Sequence, residues 1–372
     1  MHRVAIRSTG LYHPEPIITN AELVESFNQY VAVFNREHAD AIAAGTQTAL
    51  QPSSVEFIEK ASGIQRRYVI EKSGVLDPHR MRPRLQRRPD DTLSLMAEVS
   101  VAAARDALQR GGRSASQVDG VICAAANMQR AYPAMAIEIQ TALGIEGFAF
   151  DMNVACSSAT FAIEQAVNAV RSGCARAVLV VDPELTSPHL AWKDRDCHFI
   201  FGDVCTAILV ERYDADAPEG FEVLGTKLFT RFSNNIRNNA GYMSRCEDRD
   251  PDDRDLLFYQ EGRKVFKEVC PLAAEHMTQH LAHLGLQPTD VRRYWLHQAN
   301  LAMNQLITRK LLGRDATQDD APVILDEYAN TASAGSIISF HHHHADLRSG
   351  DLGVICSFGA GYSIGSVVVR KS

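Results

Sequence analysis

Residues 151–159 read DMNVACSSA, and residues 326–334 read DEYANTASA. Each is an Asp followed by a turn into small, hydroxyl-bearing residues. Two further pairs keep the same order along the chain. QVDGVICAAANM (117–128) pairs with DVRRYWLHQANL (290–301), and FGDVCTAILV (201–210) with FGAGYSIGSVVV (358–369). A repeat of this kind changes the expected fold. It predicts two similar halves, 1–212 and 222–372, joined by YDADAPEGF at 213–221. Fused halves share a pseudo-twofold axis, on which the polar ends of equivalent segments converge.

The surrounding pattern is α/β. Short β-branched runs (RVAIRSTG, DGVICAAAN, FAFDMNV, RAVLVVD, TAILVER, GFEVLGTKLF, YWLHQAN, APVILDEY, GVICSFG, IGSVVVRK) alternate with helical stretches. TLSLMAEVSVAAARDALQRGG (92–112) spaces its apolar residues by three and four and ends on glycines, which predicts an amphipathic helix. LVESFNQYVAVF (23–34) shows the same spacing at Leu23, Phe27, Val31 and Phe34, with no evident partner. Charged stretches at 72–91, with five arginines among prolines, and at 244–255 are expected as solvated loops.

The 372 residues, 45% of them apolar, can bury a large core. A net charge of −7 argues against nucleic-acid binding by phosphate neutralisation. MHRVAIRSTGLY lacks the apolar core of a signal peptide, and no stretch reaches the ~18 uninterrupted apolar residues of a membrane span. A cytosolic protein is expected. Its eight cysteines form no C-x-x-C pair and are expected as reduced, mostly buried thiols. His341 to His344 are consecutive, so they cannot all face one metal on a helix, and no metal is expected there.

The repeat brings chemistry to the axis. The turn of the first half carries Cys156, the equivalent turn of the second carries Asn330, and YWLHQAN delivers His297. A cysteine where a helix begins faces unpaired N–H groups and the positive end of the helix dipole, which favour the thiolate. Neutral His and Asn side chains can donate to an oxygen that becomes an enolate without quenching that thiolate. The glycines of SFGAGYS let backbone N–H groups approach a thioester carbonyl.

At these residues the chain resembles the β-ketoacyl-acyl-carrier-protein synthase III family of the thiolase superfamily. The matching motifs are Ala155-Cys156-Ser157, His297-Gln298-Ala299-Asn300, Asn330-Thr331 and Phe358-Gly359-Ala360-Gly361-Tyr362. The resemblance implies a five-layered αβαβα fold and a homodimer. It implies that Cys156 takes an acyl group from a starter thioester, assisted by the N–H groups of Cys156 and Ala360 beside Gly359, with Phe358 shielding the sulfur. Malonyl-acyl-carrier protein then loses CO₂ while His297 and Asn330 hold the enolate. Coenzyme A thioester is a substrate, and no metal or redox cofactor is implied.

The resemblance also places Phe57 and Asn300 at the coenzyme A contact and Tyr132 at the acyl tunnel of the neighbouring subunit. Phe57 stands where the family usually has Trp, Ala61 where it has Arg, and Ala302 where it has a basic residue that meets the carrier protein. Lys264, Lys267, Arg309 and Lys310 are the alternative basic patch. A weaker hold on adenine, with apolar surface from 23–34, points to a medium-chain starter. Two other readings compete. One is a non-decarboxylating, thiolase-like condensation or acyl transfer. The other is a non-catalytic carrier-protein scaffold, which three intact polar residues disfavour.

Overall fold

A computed structural model describes residues 1–214, 220–246 and 253–372. Parts of the linker expected at 213–221 and of the charged stretch at 244–255 lie outside the described residues. The first half holds β1 (Val4–Tyr12), a peripheral pair β2 (Ile17–Thr19) and β3 (Arg66–Tyr68), then β4 (Gly120–Ala124), β5 (Phe148–Met152), β6 (Ala177–Glu184) and β7 (Val204–Arg212). The second holds β8 (Phe221–Ser233), a small pair β9 (Ile236–Arg237) and β10 (Tyr259–Gln260), then β11 (Val291–Leu296), β12 (Leu352–Gly359) and β13 (Gly361–Lys371). The helices are α1 (Asn20–Glu37), α2 (Ala39–Ala43), α3 (Val55–Ser62), α4 (Leu95–Gly111), α5 (Met135–Leu143), α6 (Ser158–Ser172), α7 (Gly262–His283), α8 (Leu301–Leu312), α9 (Leu325–Tyr328) and α10 (Ala334–His342).

Hydrogen bonds join nine strands in the order β11-β12-β13-β8-β1-β7-β6-β4-β5. Read outward from the β1–β8 seam, each side presents its first, last, penultimate and second strand. The seam is short, with only Ala5 opposite Glu222 and Ile6 opposite Phe221. Arg3 and Arg370, from the two ends of the chain, both donate to Glu222, and the Ser372 N–H donates to the Gly220 carbonyl at 3.1 Å.

Packing resolves this order into layers. Helices α6 and α10 lie between the two halves of the sheet, in a core that joins Ala159, Ile163 and Val167 to Ile337, Phe340, Val180 and Val367. Helices α4 and α5 cover the outer face of the first half, and α7 and α8 that of the second. The result is the five-layered αβαβα arrangement, a fold whose buried strands read as nearly continuous apolar runs.

Local signals hold in α4, which starts after Ser94, whose hydroxyl accepts from the Ala97 N–H, and stops at Gly112 with φ 61°. APVILDEY does not form the expected strand. Pro322 removes a ladder donor, and Asp326 and Glu327 sit in the first turn of the short helix α9, where acids are favoured. Among the described residues, the second half therefore has no counterpart of β5. An isolated bridge between Phe201 and Asn330 is the strand-like contact left there.

The amphipathic stripe of α1 does have a partner. Leu23, Phe27 and Val31 pack with Ile58, Trp192 and Phe199, and Phe27 stacks on His198 at 4.4 Å between ring centroids. The histidine run ends α10 and diverges. His341 bonds Thr9, His342 bonds Tyr328, and His344 stacks on Phe221. Among the described residues no cluster of three or more His, Cys, Asp or Glu could hold a metal, and no helix is long and apolar enough to cross a membrane.

Candidate active site

Cys156 sits in a single 3-10 turn, Ala155–Ser157, that leads into α6. The sulfur is thus one step ahead of the α-helix rather than in its first turn. Ala155 holds φ 46°, a left-handed conformation unusual for a side chain with Cβ, and its neighbours fix it there. The Asn153 carboxamide accepts from the Ala155 N–H at 2.9 Å and donates to the Ala126 carbonyl at 2.8 Å. Ser158 Oγ accepts from the Val154 N–H at 2.9 Å.

The strand β12 runs past this elbow at Gly359. A Cβ there would lie 2.6 Å from Cys156 Cβ and 2.8 Å from its Sγ, so only glycine allows the approach. The next residue, Ala360, turns its backbone N–H to the thiol. Burial pushes that thiol up, to about 12, against the opposing pull of the Ala360 N–H, and the Glu184 charge adds to the rise. Burial thus opposes the stabilisation of the thiolate expected from the helix terminus.

His297 follows β11 directly, its N–H bound to the Cys356 carbonyl at 2.8 Å. Its ring meets Phe358 edge-to-face at 5.2 Å. Burial lowers its pKa to about 4, despite a bond to the Ala332 backbone, so the imidazole is neutral near pH 7. Asn330 is fixed by two backbone bonds, its N–H to Ile200 and its carbonyl from Gly202. Its Oδ1 accepts from the Ala332 N–H at 2.9 Å, which commits the oxygen and leaves the amide N–H groups as donors.

Cys156, His297, Asn330, Phe358 and Gly359 line one cavity of about 190 Å³, with Asn300 and Ala61 also on its wall. Asn300 serves as the N-cap of α8, accepting from the Met303 N–H at 2.9 Å. Phe57 lies outside the lining. The Arg195 guanidinium covers its ring at 3.8 Å, and Arg195 Nε donates to the Pro52 carbonyl at 2.7 Å. Tyr132 is 85% exposed and is not among the residues lining this cavity.

Lys264 and Lys267 are exposed on α7, and Arg309 and Lys310 on α8, which packs against it. Lys264 pairs with Glu261 and Arg309 with Asp315. A larger cavity of about 1330 Å³ lies beyond His189, walled by Met96, Met128, Ile137 and Leu185 and rimmed by the arginine-rich segment. His189 and Phe201, 6.0 Å apart between ring centroids, stand between the two cavities.

Sequence reasoning passed over Asp182, Glu184 and Ser333. The two acids stand inside the apolar run AVLVVDPEL and are fully buried. That is the signal that could have found them, because Asp and Glu are rarely buried without a defined partner.

Residues 150–231 match the family model described as 3-oxoacyl-[acyl-carrier-protein] synthase III, and residues 281–371 match that of its C-terminal part. A β-ketodecanoyl-[acyl-carrier-protein] synthase of Pseudomonas aeruginosa is 59% identical over 349 residues, covering 94% of this chain and 100% of that protein. A β-ketoacyl-[acyl-carrier-protein] synthase III of a Roseiflexus species is 31% identical over 281 residues, 73% of this chain and 82% of that protein. The crystal structure of 3-oxoacyl-[acyl-carrier-protein] synthase III from Aquifex aeolicus superposes with a TM-score of 0.76 at 24% identity, covering 99% of both chains. A cysteine elbow, a neutral histidine and an oriented asparagine meeting between two like halves agree with this ancestry, and the chain belongs to the β-ketoacyl-acyl-carrier-protein synthase III family.

Proposed function

We propose that this chain joins a medium-chain acyl starter to malonyl-acyl-carrier protein by decarboxylative condensation, with Cys156, His297 and Asn330 as its catalytic residues. The observation that carries the reading is their placement on one cavity. The Cys156 sulfur attacks the starter thioester, its thiol proton leaves with the departing thiol, and the acyl group stays on the cysteine. The N–H groups of Cys156 and Ala360 face the developing oxyanion. Malonyl thioester then replaces the leaving thiol. As the carbon–carboxylate bond breaks, its electron pair forms an enolate, held by the His297 imidazole and the Asn330 amide. The enolate carbon attacks the acyl carbonyl, the carbon–sulfur bond breaks with its electron pair passing to the Cys156 sulfur, which takes a proton from water to restore the thiol, and 3-oxoacyl-acyl-carrier protein departs. A thioester is already activated and CO₂ loss drives the bond formation, so the chemistry asks for no metal or redox cofactor.

The starter reading draws on the Pseudomonas relative, named for a β-ketodecanoyl product. A two-carbon extension ending there begins with an eight-carbon chain. The stacking of Arg195 on Phe57 also supports a starter held by its tail more than by adenine. We further assign acyl-coenzyme A as donor, with Phe57 and Asn300 at its entrance, and Lys264, Lys267, Arg309 and Lys310 as the face for the acidic carrier protein. Phe358 and Gly359 shield the sulfur. The working unit is a cytosolic homodimer in which Tyr132 reaches the partner's tunnel, and each subunit is two like halves, 1–212 and 222–372, whose shared strand order supports the division.

Incubating the protein with octanoyl-coenzyme A and weighing it intact tests the assignment. The wild type should gain one octanoyl group on Cys156, and Cys156→Ala none, with condensation abolished and the fold intact. Acyl mass persisting on Cys205 or Cys356 in that variant would overturn it.

A further inference from the structure

Ser333 has one hydroxyl proton, yet its Oγ stands 2.5 Å from Asp182 Oδ1 and 2.6 Å from Glu184 Oε1. All three residues are buried. The hydroxyl can donate to only one carboxylate, and a second ionised oxygen at that distance would meet a lone pair. The contact is satisfied when one carboxyl keeps its proton and gives it to Ser333 Oγ. The remaining partners decide which one. Glu184 also accepts from the Ser333 N–H at 3.2 Å and from the Ala126 N–H at 3.1 and 3.2 Å. Among the described residues, Asp182 has beyond this only the Thr206 hydroxyl, at 3.4 Å. Three donors favour the ionised form at Glu184, and the proton stays on Asp182.

The two N–H donors to Glu184 lead in opposite directions. Ala126 carries the carbonyl that holds Asn153, which holds the Ala155 N–H beside the nucleophile. Ser333 closes the turn that begins at Asn330 and opens α10. We propose that Glu184 is a positioning residue that ties the cysteine elbow to the enolate-binding turn through one carboxylate, with protonated Asp182 holding Ser333 in the donating orientation. The inference rests on the roles given above to Cys156 and Asn330. Burial raises both acids, Asp182 well above the usual carboxylate range and Glu184 to about 7, in the order the donors dictate. The titratable groups that face Glu184 are Asp182 on its own strand, Cys123 on β4, Cys205 on β7 and Cys156 before α6.

The variants Asp182→Asn, Glu184→Gln and Ser333→Ala separate this from a purely structural role. Asn can donate to Ser333 Oγ as protonated Asp does, so Asp182→Asn should keep condensation within about threefold of wild type, less than the cost of one lost neutral hydrogen bond. Glu184→Gln should lose about 10²-fold in malonyl decarboxylation, the cost of a misplaced donor. It should also move the pH profile of Cys156 alkylation down by about one unit, because a nearby negative charge is gone. Packing loss alone would not move that profile. Thermal unfolding shows whether Glu184→Gln folds. If it does not, Ser333→Ala carries the test and should lower decarboxylation by tenfold or more while self-acylation stays within about threefold. Wild-type decarboxylation in folded Glu184→Gln, or in Ser333→Ala, overturns the proposal, as does an Asp182→Asn variant as impaired as Glu184→Gln. Should Cys156→Ala stay active, the functional reading itself fails; should it be dead while these variants behave as wild type, only this inference fails.

Discussion

Gly359 passes Cys156 so closely that a methyl group on its Cα would stand 2.8 Å from the sulfur. Contacts under 3.0 Å force something to move, and both residues are pinned, one in β12 and the other in the turn before α6. Gly359→Ala should therefore displace the sulfur from the Ala360 N–H. Self-acylation is expected to fall by about 10²-fold, the effect of a displacement near 1 Å, with a native circular dichroism spectrum. Acylation at the wild-type rate by stopped-flow mass analysis would contradict this.

The half-reactions should separate. His297→Ala and Asn330→Ala are each expected to keep self-acylation within about tenfold while losing malonyl decarboxylation by roughly two to three orders of magnitude, the cost of a missing oxyanion donor. Release of labelled CO₂ from malonyl carrier protein measures the second step. Equal loss of both steps would show that His297 also serves as a base toward the thiol.

The pH dependence has a definite sign. The His297 pKa is lowered to about 4, so the imidazole stays neutral through the physiological range and charges only below that value. The Cys156 thiol is raised to about 12, so its thiolate fraction grows tenfold with each pH unit between neutrality and that value. Alkylation of Cys156 by iodoacetamide should still be climbing at pH about 9, above the ordinary thiol pKa. A plateau near pH 7 would mean that the helix terminus prevails over burial.

Starter length is the fourth test. In competition between acetyl- and octanoyl-coenzyme A, octanoyl should show the higher kcat/KM. Each buried methylene adds ~0.8 kcal/mol, so a few carbons offset a weak adenine contact. The octanoyl chain is expected to extend past His189 into the larger cavity, so Leu185→Trp, which narrows that wall, should reduce kcat/KM for octanoyl and leave that for acetyl little changed. Tyr132→Ala should shift preference toward longer chains. A higher kcat/KM for acetyl in the wild type would remove the medium-chain assignment.

The sequence carried the sheet well because a strand buried on both faces must be apolar along its length, as in AVLVV of β6 and VCTAILV of β7. It carried the cysteine elbow because the repeat marked the same turn twice. It failed at APVILDEY, where the apolar run is real but Pro322 and two acids decide for a helix. The partner of α1 was invisible because Trp192, Phe199 and His198 reach it only through the tertiary fold. The burial that opposes the thiolate was not legible for a related reason. A helix terminus is a local feature that can be read from residue order, whereas depth beneath the surface belongs to the assembled molecule.

The clasp of Arg3 and Arg370 on Glu222 has a consequence for the order in which the chain can be written. With Ser372 bonded to Gly220 beside that clasp, the two termini lie near one another at the seam. A short glycine–serine bridge could fuse them, and new ends could be opened at the turn after α4 between Arg113, which keeps its pair with Glu211, and the exposed Ser114. Such a circular permutant would keep every strand neighbour while changing which half leaves the ribosome first.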